Sequence, residues 1–98
     1  MGNSLKSAQF LIDSRIADAA RGDPGACYDL GVFYSTGTGG AAIDLIEAHK
    51  WFNLAAVTGH EAAQEARAEI ADDLTAREVA TAQAAARAFL NLHRRRAA

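Results

Sequence analysis

Three histidines and one cysteine are the residues of this 98-residue chain best suited to metal binding or nucleophilic catalysis. His49, His60 and His93 are far apart in sequence, and none has a Cys or His partner at the short spacing that zinc ligands usually show. Cys27 is the single cysteine, so it cannot form an intramolecular disulfide. Because no pattern orients a histidine toward it, we interpret Cys27 as a small buried thiol at a helix contact.

Two further motifs could suggest chemistry. Glycines at positions 37, 39 and 40 resemble a phosphate-binding loop, but no strand precedes them and no Gly-Lys-Ser/Thr follows. We interpret this segment as a turn that needs positive φ angles. Asp72 and Asp73 are adjacent, so on a helix they would point about 100° apart, which is typical of a polar helix end. The sequence therefore predicts no catalytic, metal-binding or cofactor-binding residues, and we expect a protein that is not an enzyme.

Composition favours one small all-α domain. Half of the residues are hydrophobic, alanine is the most frequent residue, and Pro24 is the only proline. Alanine has the highest helix propensity and allows helices to approach closely. At this length the chain is near the lower limit for a self-sufficient core. We expect a single domain over residues 1–98.

Charge and hydropathy restrict the partners. The formal net charge is -2 and the isoelectric point is about 5.8, which argues against general nucleic-acid binding. We interpret the cluster Arg94–Arg96 as a solvated helix end whose cations oppose the negative pole of the helix. The N-terminal segment lacks the apolar core of a signal peptide, and no stretch is as apolar as a membrane span. A soluble, cytoplasmic protein without a nucleic-acid or membrane partner is therefore expected.

The hydrophobic period and the helix-capping residues predict five helices. Their expected ranges are Ser4 to Arg21, Pro24 to Thr36, Asp44 to Thr58, Glu61 to Asp73 and Thr75 to Arg94. Asp23, Asp44 and His60 are predicted to begin three of them, and Thr75 with Glu78 forms a capping box before the last. The residues predicted to face the interior are Leu5, Ala8, Ile12, Ile16, Ala19, Ala20, Ala26, Leu30, Phe33 or Tyr34, Leu45, Ala48, Trp51, Phe52, Ala55, Ala56, Ile70, Val79, Ala82, Ala86, Phe89, Leu90 and Leu92.

The segment from Ala26 to Gly59 has the pattern of one helical-repeat unit. It has small residues where two helices meet, large residues between them, and glycines at the turns. Such a hairpin usually stacks on other helices, because it cannot bury its apolar faces alone. A weaker echo follows about 37 residues on, within the range of helical repeats, where Gly59-His60-Glu61-Ala62-Ala63 matches Gly22-Asp23-Pro24-Gly25-Ala26. We therefore expect a packing helix at 4–22, a well-formed repeat at 24–59 and a degenerate second repeat or C-terminal cap at 60–94.

This unit resembles the Sel-1-like repeat, a relative of the tetratricopeptide repeat, and looks especially like its bacterial members. The spacing between Gly39 and Asp44 is one residue longer than in the family pattern. The resemblance implies a short α/α superhelix of about five antiparallel helices that acts as a scaffold or adaptor. Its matching residues are Ala26, Leu30, Gly31, Tyr34, Gly37, Gly39, Asp44, Ala48, Trp51, Ala55, Ala56 and Gly59.

The resemblance also suggests where a partner protein would bind. In stacked helical hairpins the first helix of each pair lines the concave side, here the helices at 24–36 and 61–73. The expected partner is a peptide or helix of another protein; a homodimer formed through the exposed ends of the stack is the alternative. The candidate partner-binding residues, which lie off the inner stripes of these helices, are Tyr28, Asp29, Val32, Ser35, Gln64 and Arg67.

Overall fold

A computed structural model describes residues 3–38 and 42–97 of the chain, and the side chains of residues 7–38 and 42–93. Over these residues the protein is an all-α helical stack, which confirms the predicted fold class. The five helices are α1 (Asn3–Ala20), α2 (Pro24–Thr36), α3 (Leu45–Val57), α4 (Glu61–Ala71) and α5 (Ala76–Ala97). None of the helices in the described part of the chain is long and apolar enough to cross a membrane.

The helices α2 to α5 begin at the predicted capping residues, and all of these but one cap their helix with a side-chain hydrogen bond. The Asp23 side chain accepts hydrogen bonds from the backbone N–H groups of Gly25 and Ala26, and Asp44 accepts one from Glu47. Thr75 and Glu78 bond reciprocally, each side chain accepting from the other's backbone N–H. This is the geometry of a capping box. His60 occupies the N-cap position of α4, as predicted, but its side chain makes no capping hydrogen bond.

The glycine turn after α2 is described in part. Gly37 has φ 70°, the left-handed conformation that the turn interpretation required, and its N–H bonds to the carbonyl oxygen of Phe33. This conformation costs glycine little because it has no Cβ. Gly39 and Gly40 lie outside the described residues, as do the side chains of Leu5 and Arg94–Arg96.

Helix α3 is the centre of the stack. It packs against α2, α4 and α5, while α1 packs against α2. Trp51 is 2% exposed, which confirms its predicted place in the core; its ring meets Phe89 of α5 edge-on, with 5.0 Å between ring centroids. The indole Nε1–H donates to Glu47 Oε2 over 3.0 Å, and Lys50 Nζ lies 4.5 Å from the indole centroid. The one polar atom of this large side chain is therefore satisfied although the ring is buried.

Three predictions about burial were wrong or incomplete. Leu92 is 55% exposed, because it lies about 100° around α5 from His93, which continues the inward stripe. Ile70 is only half-buried, and α4 is anchored instead by Ala63, which is fully buried. Leu54 and His49 were not predicted to face the interior, yet both are buried. Because α3 is covered on several sides, more of its circumference is buried than a single inner stripe allows.

Candidate partner-binding site

Four of the six candidate residues lie on α2, where they face different sides of the helix, and the other two, Gln64 and Arg67, lie on α4. Asp29 and Val32 face a groove toward α1, which we call the α1–α2 groove. Tyr28 instead faces the junction of α3 and α4, where its ring contacts His60. Asp29 lies about 100° around α2 from Tyr28, and Val32 lies between them. Asp29 and Val32 thus line the α1–α2 groove, and Tyr28 does not.

The α1–α2 groove has a volume of about 270 Å³. Its apolar side chains come from both helices: Leu11, which is 43% exposed, and the half-buried Val32 and Phe33. Apolar side chains left accessible between two helices can receive an apolar anchor from another molecule. The residues that line the groove are Leu11, Arg15, Asp29, Val32, Phe33 and Thr38.

An ion pair across the α1–α2 groove joins its two helices. Arg15 Nε lies 3.1 Å from Asp29 Oδ2, and Arg15 Nη1 lies 3.4 Å from Asp18 Oδ2. These side chains are 29–51% exposed, so the pairs contribute little to stability. They give the groove a polar edge beside its apolar side chains, an arrangement that resembles the core and rim of protein interfaces.

Tyr28 has a structural role at the other edge of α2. Its ring stacks on His60 with centroids 4.3 Å apart and an interplanar angle of 9°, and its centroid lies 5.4 Å from that of Phe52. These contacts tie α2 to the start of α4. Replacement of Tyr28 would therefore disturb the fold together with any binding surface.

The remaining candidates differ in whether their side chains already make hydrogen bonds within the protein. Gln64 is exposed on α4, whereas the Arg67 guanidinium donates a hydrogen bond to Asn53 Oδ1 of α3. The Ser35 hydroxyl donates to the carbonyl oxygen of Val32 over 3.2 Å, within its own helix. Arg67 and Ser35 thus already have intramolecular partners.

Sequence reasoning missed the α1 side of the groove. It assigned binding only to the first helix of each hairpin, so Leu11 and Arg15 were left out. A signal was present: these two residues lie one turn apart on α1 and outside its predicted inner stripe. Phe33, predicted as an alternative to Tyr34 for the interior, is half-buried and lines the groove.

A second cavity lies between the ends of α1 and α3 and the helices α2 and α5. It measures about 250 Å³, and Cys27 and His93 both line it. Burial, followed by the negative charge of Asp23, raises the pKa of Cys27 to about 11. The thiol is therefore protonated at neutral pH, which disfavours nucleophilic chemistry because the thiolate is the reactive form. This agrees with the interpretation of Cys27 as a buried structural thiol.

Comparisons place no known family on this chain. Protein-family models, curated proteins and solved structures all gave no match. Among residues 3–38 and 42–97, no three His, Cys, Asp or Glu side chains come close enough together to hold a metal ion. The observations that bear on function are thus the helical stack and the two edges of α2.

Proposed function

We propose that this protein is a non-enzymatic interaction module of the Sel-1-like type, a scaffold or adaptor that binds a peptide or helix of a partner protein. The observation that carries the proposal is the α1–α2 groove, in which accessible Leu11 and Val32 lie beside the Arg15–Asp29 pair. Apolar contacts in the groove would anchor the partner, and the charged edge would orient it. The resemblance of residues 26–59 to bacterial Sel-1-like repeats supports an adaptor role in the cytoplasm.

The shape of the groove favours a short apolar anchor. A volume of about 270 Å³ accommodates one or two large side chains rather than a folded domain. A partner helix would fill it with residues one turn apart, the usual spacing of anchors in helix-in-groove recognition. The edge supplies both charges, so the flanking residues of the partner can pair with Arg15 or with Asp29.

Val32→Asp tests the proposal. Val32 lines the groove without the ring contacts that Tyr28 makes, so its replacement by a carboxylate removes apolar contact and adds a charge where the anchor would lie. We expect the amount of any specific partner captured from a cell extract to fall at least about tenfold, the effect of losing about 1.4 kcal/mol of binding. Quantitative mass spectrometry of the captured proteins measures this.

The matched control is Val57→Asp. Val57 is 58% exposed at the end of α3 and does not line the groove, so the same chemical change is made elsewhere. Circular dichroism must show both variants as helical as the wild type. Equal capture by the wild type and by Val32→Asp would show that the groove is not the binding site.

A second candidate function is homo-oligomer assembly, and one observation favours it. Phe10 is 72% exposed on α1, about 160° around the helix from the buried Ile12. Large apolar side chains on the end helix of a stack are suited to pairing with another copy. Sedimentation velocity over a hundredfold concentration range tests this assembly. If copies pair through Phe10, the wild type is expected to form a dimer and Phe10→Ser to be a monomer. A wild-type protein that stays monomeric at every concentration would rule out homo-oligomer assembly.

A further inference from the structure

His49 of α3 is a buried polar residue. It is 2% exposed, and its Nδ1 is buried with no hydrogen-bond partner among the described residues. Most buried polar atoms in proteins are paired, and an unpaired one lowers stability. His49 therefore needs a physical explanation beyond packing.

His49 lies at the contact between α3 and α4. Asn53 is one turn further along α3, and Arg67 of α4 donates a hydrogen bond to its side chain. His49 and Asn53 consequently share the face of α3 that α4 covers. The Arg67 guanidinium is a fixed positive charge in the neighbourhood of the imidazole.

The charged residues next to His49 on α3, Glu47 and Lys50, do not offset the positive charge of Arg67. Glu47 lies about 160° around α3 from His49, and its carboxylate accepts from Trp51 Nε1. Lys50 is about 100° away and lies over the rings of Trp51 and Phe89, on the α5 side. On the α2 side, the groups that approach Phe52 of α3 include Gly31 and the uncharged ring of Tyr28.

Helix α4 is attached to the stack mainly through α3. Within α4, which the structure describes throughout, Ala63 is the one buried residue. Its other attachments include the Arg67–Asn53 hydrogen bond, the stacking of Tyr28 on His60, and the half-buried Ala66 and Ile70. Segments with few buried apolar contacts open at lower free energy than the core.

We propose that His49 makes the attachment of α4 acid-sensitive, so that mild acid releases α4 from the face of α3. A proton on the imidazole would place a second cation beside Arg67 in a buried site without a carboxylate partner. The two cations repel each other, and the charged ring gains hydration when α4 moves away. Release would carry Gln64 and Arg67 away from α2 and expose the His49 face of α3.

The direction of the pH dependence follows from the protonation equilibrium. Burial, followed by the charge of Arg67, lowers the pKa of His49 below its usual value of 6.5. The released state therefore binds more protons than the packed state, and packing is favoured above the usual pKa. As the pH falls below it, the equilibrium constant for packing of α4 decreases by up to about tenfold per pH unit. The decrease stops once the ring is also protonated in the packed state.

The test is an NMR titration of the uniformly labelled protein from about pH 7.5 to pH 5, the range in which histidine titrates. We expect the backbone amide signals of Gln64, Arg67 and Ile70 to shift or broaden with the same midpoint as the His49 ring, while the signals of Leu30 and Ile12 change little. Amides of α4 that do not respond to pH, or that respond with a midpoint unrelated to the His49 ring, would overturn the proposal.

Two variants separate His49 from the other histidines. His49→Gln removes the titrating group, so α4 should lose its response to acid. His93→Gln, at a half-buried position on α5, is the matched control and should keep that response. A response that persists in folded His49→Gln would also overturn the proposal; if this variant does not fold, the wild-type midpoints alone decide.

Discussion

Trp51→Ala is expected to destabilise the protein by about 3–5 kcal/mol, the usual cost of truncating a buried large aromatic side chain. Trp51 is 2% exposed at the centre of the stack and contacts Phe89, so its removal leaves a cavity between α3 and α5. Its hydrogen bond to Glu47 is lost as well. Because small domains have only about 5–15 kcal/mol of stability, this variant is expected to be largely unfolded at moderate urea concentrations.

The measurement is urea unfolding followed by circular dichroism, since the variant has no tryptophan for fluorescence. Trp51→Phe is the control, because it keeps a ring against Phe89 and removes the Nε1–Glu47 hydrogen bond. Its loss should be clearly smaller than that of Trp51→Ala. A change of less than about 1 kcal/mol in Trp51→Ala, typical of surface positions, would contradict the core assignment.

Gly31→Ala is expected to destabilise the protein although alanine is the better helix former. A Cβ at position 31 would lie 2.5 Å from two ring atoms of Phe52, and Phe52 is itself buried, so the ring has little room to move. Overpacking of this kind costs about 1–3 kcal/mol, while the gain in helix propensity is about 1 kcal/mol. A net loss of up to about 2 kcal/mol, measured by urea unfolding, is therefore expected.

Phe52→Leu provides the matched test of this close approach. The smaller side chain should lower stability on its own by opening space, but it also makes room for the new methyl group. The double variant Gly31→Ala/Phe52→Leu should therefore be more stable than the sum of the single losses predicts. If the stability losses of the two single variants add strictly, or if Gly31→Ala stabilises the protein, the close packing of α2 on α3 does not require a residue without a Cβ at position 31.

The sequence was sufficient for the fold class because several local signals agreed. Asp23, Asp44 and the Thr75–Glu78 box each act within four residues, so their hydrogen bonds can be predicted from spacing alone. Trp51 could be assigned to the core because it continues a helical stripe of small residues. The role of the His60 side chain could not be predicted from local spacing. His60 has the position of a cap, but its ring stacks on Tyr28, which is distant in sequence.

The candidate site was harder to predict, because it depends on which helices are neighbours. The groove needs Leu11 of α1 beside Val32 of α2, and no local pattern specifies that pairing. The burial of His49 has the same origin, since it follows from α4 covering a second face of α3. Periodicity identifies one inner stripe per helix, whereas a central helix is covered on several sides.

Site-specific photo-crosslinking from position 11 tests the central claim most directly. A photoreactive phenylalanine analogue replaces Leu11 in the α1–α2 groove, and in separate proteins it replaces Phe10 or Val57, two exposed apolar positions outside the groove. We predict a covalent adduct with another protein from position 11 that positions 10 and 57 do not form. No adduct from position 11, the same adducts from position 57, or only a dimer of this chain would contradict binding of a partner through the groove.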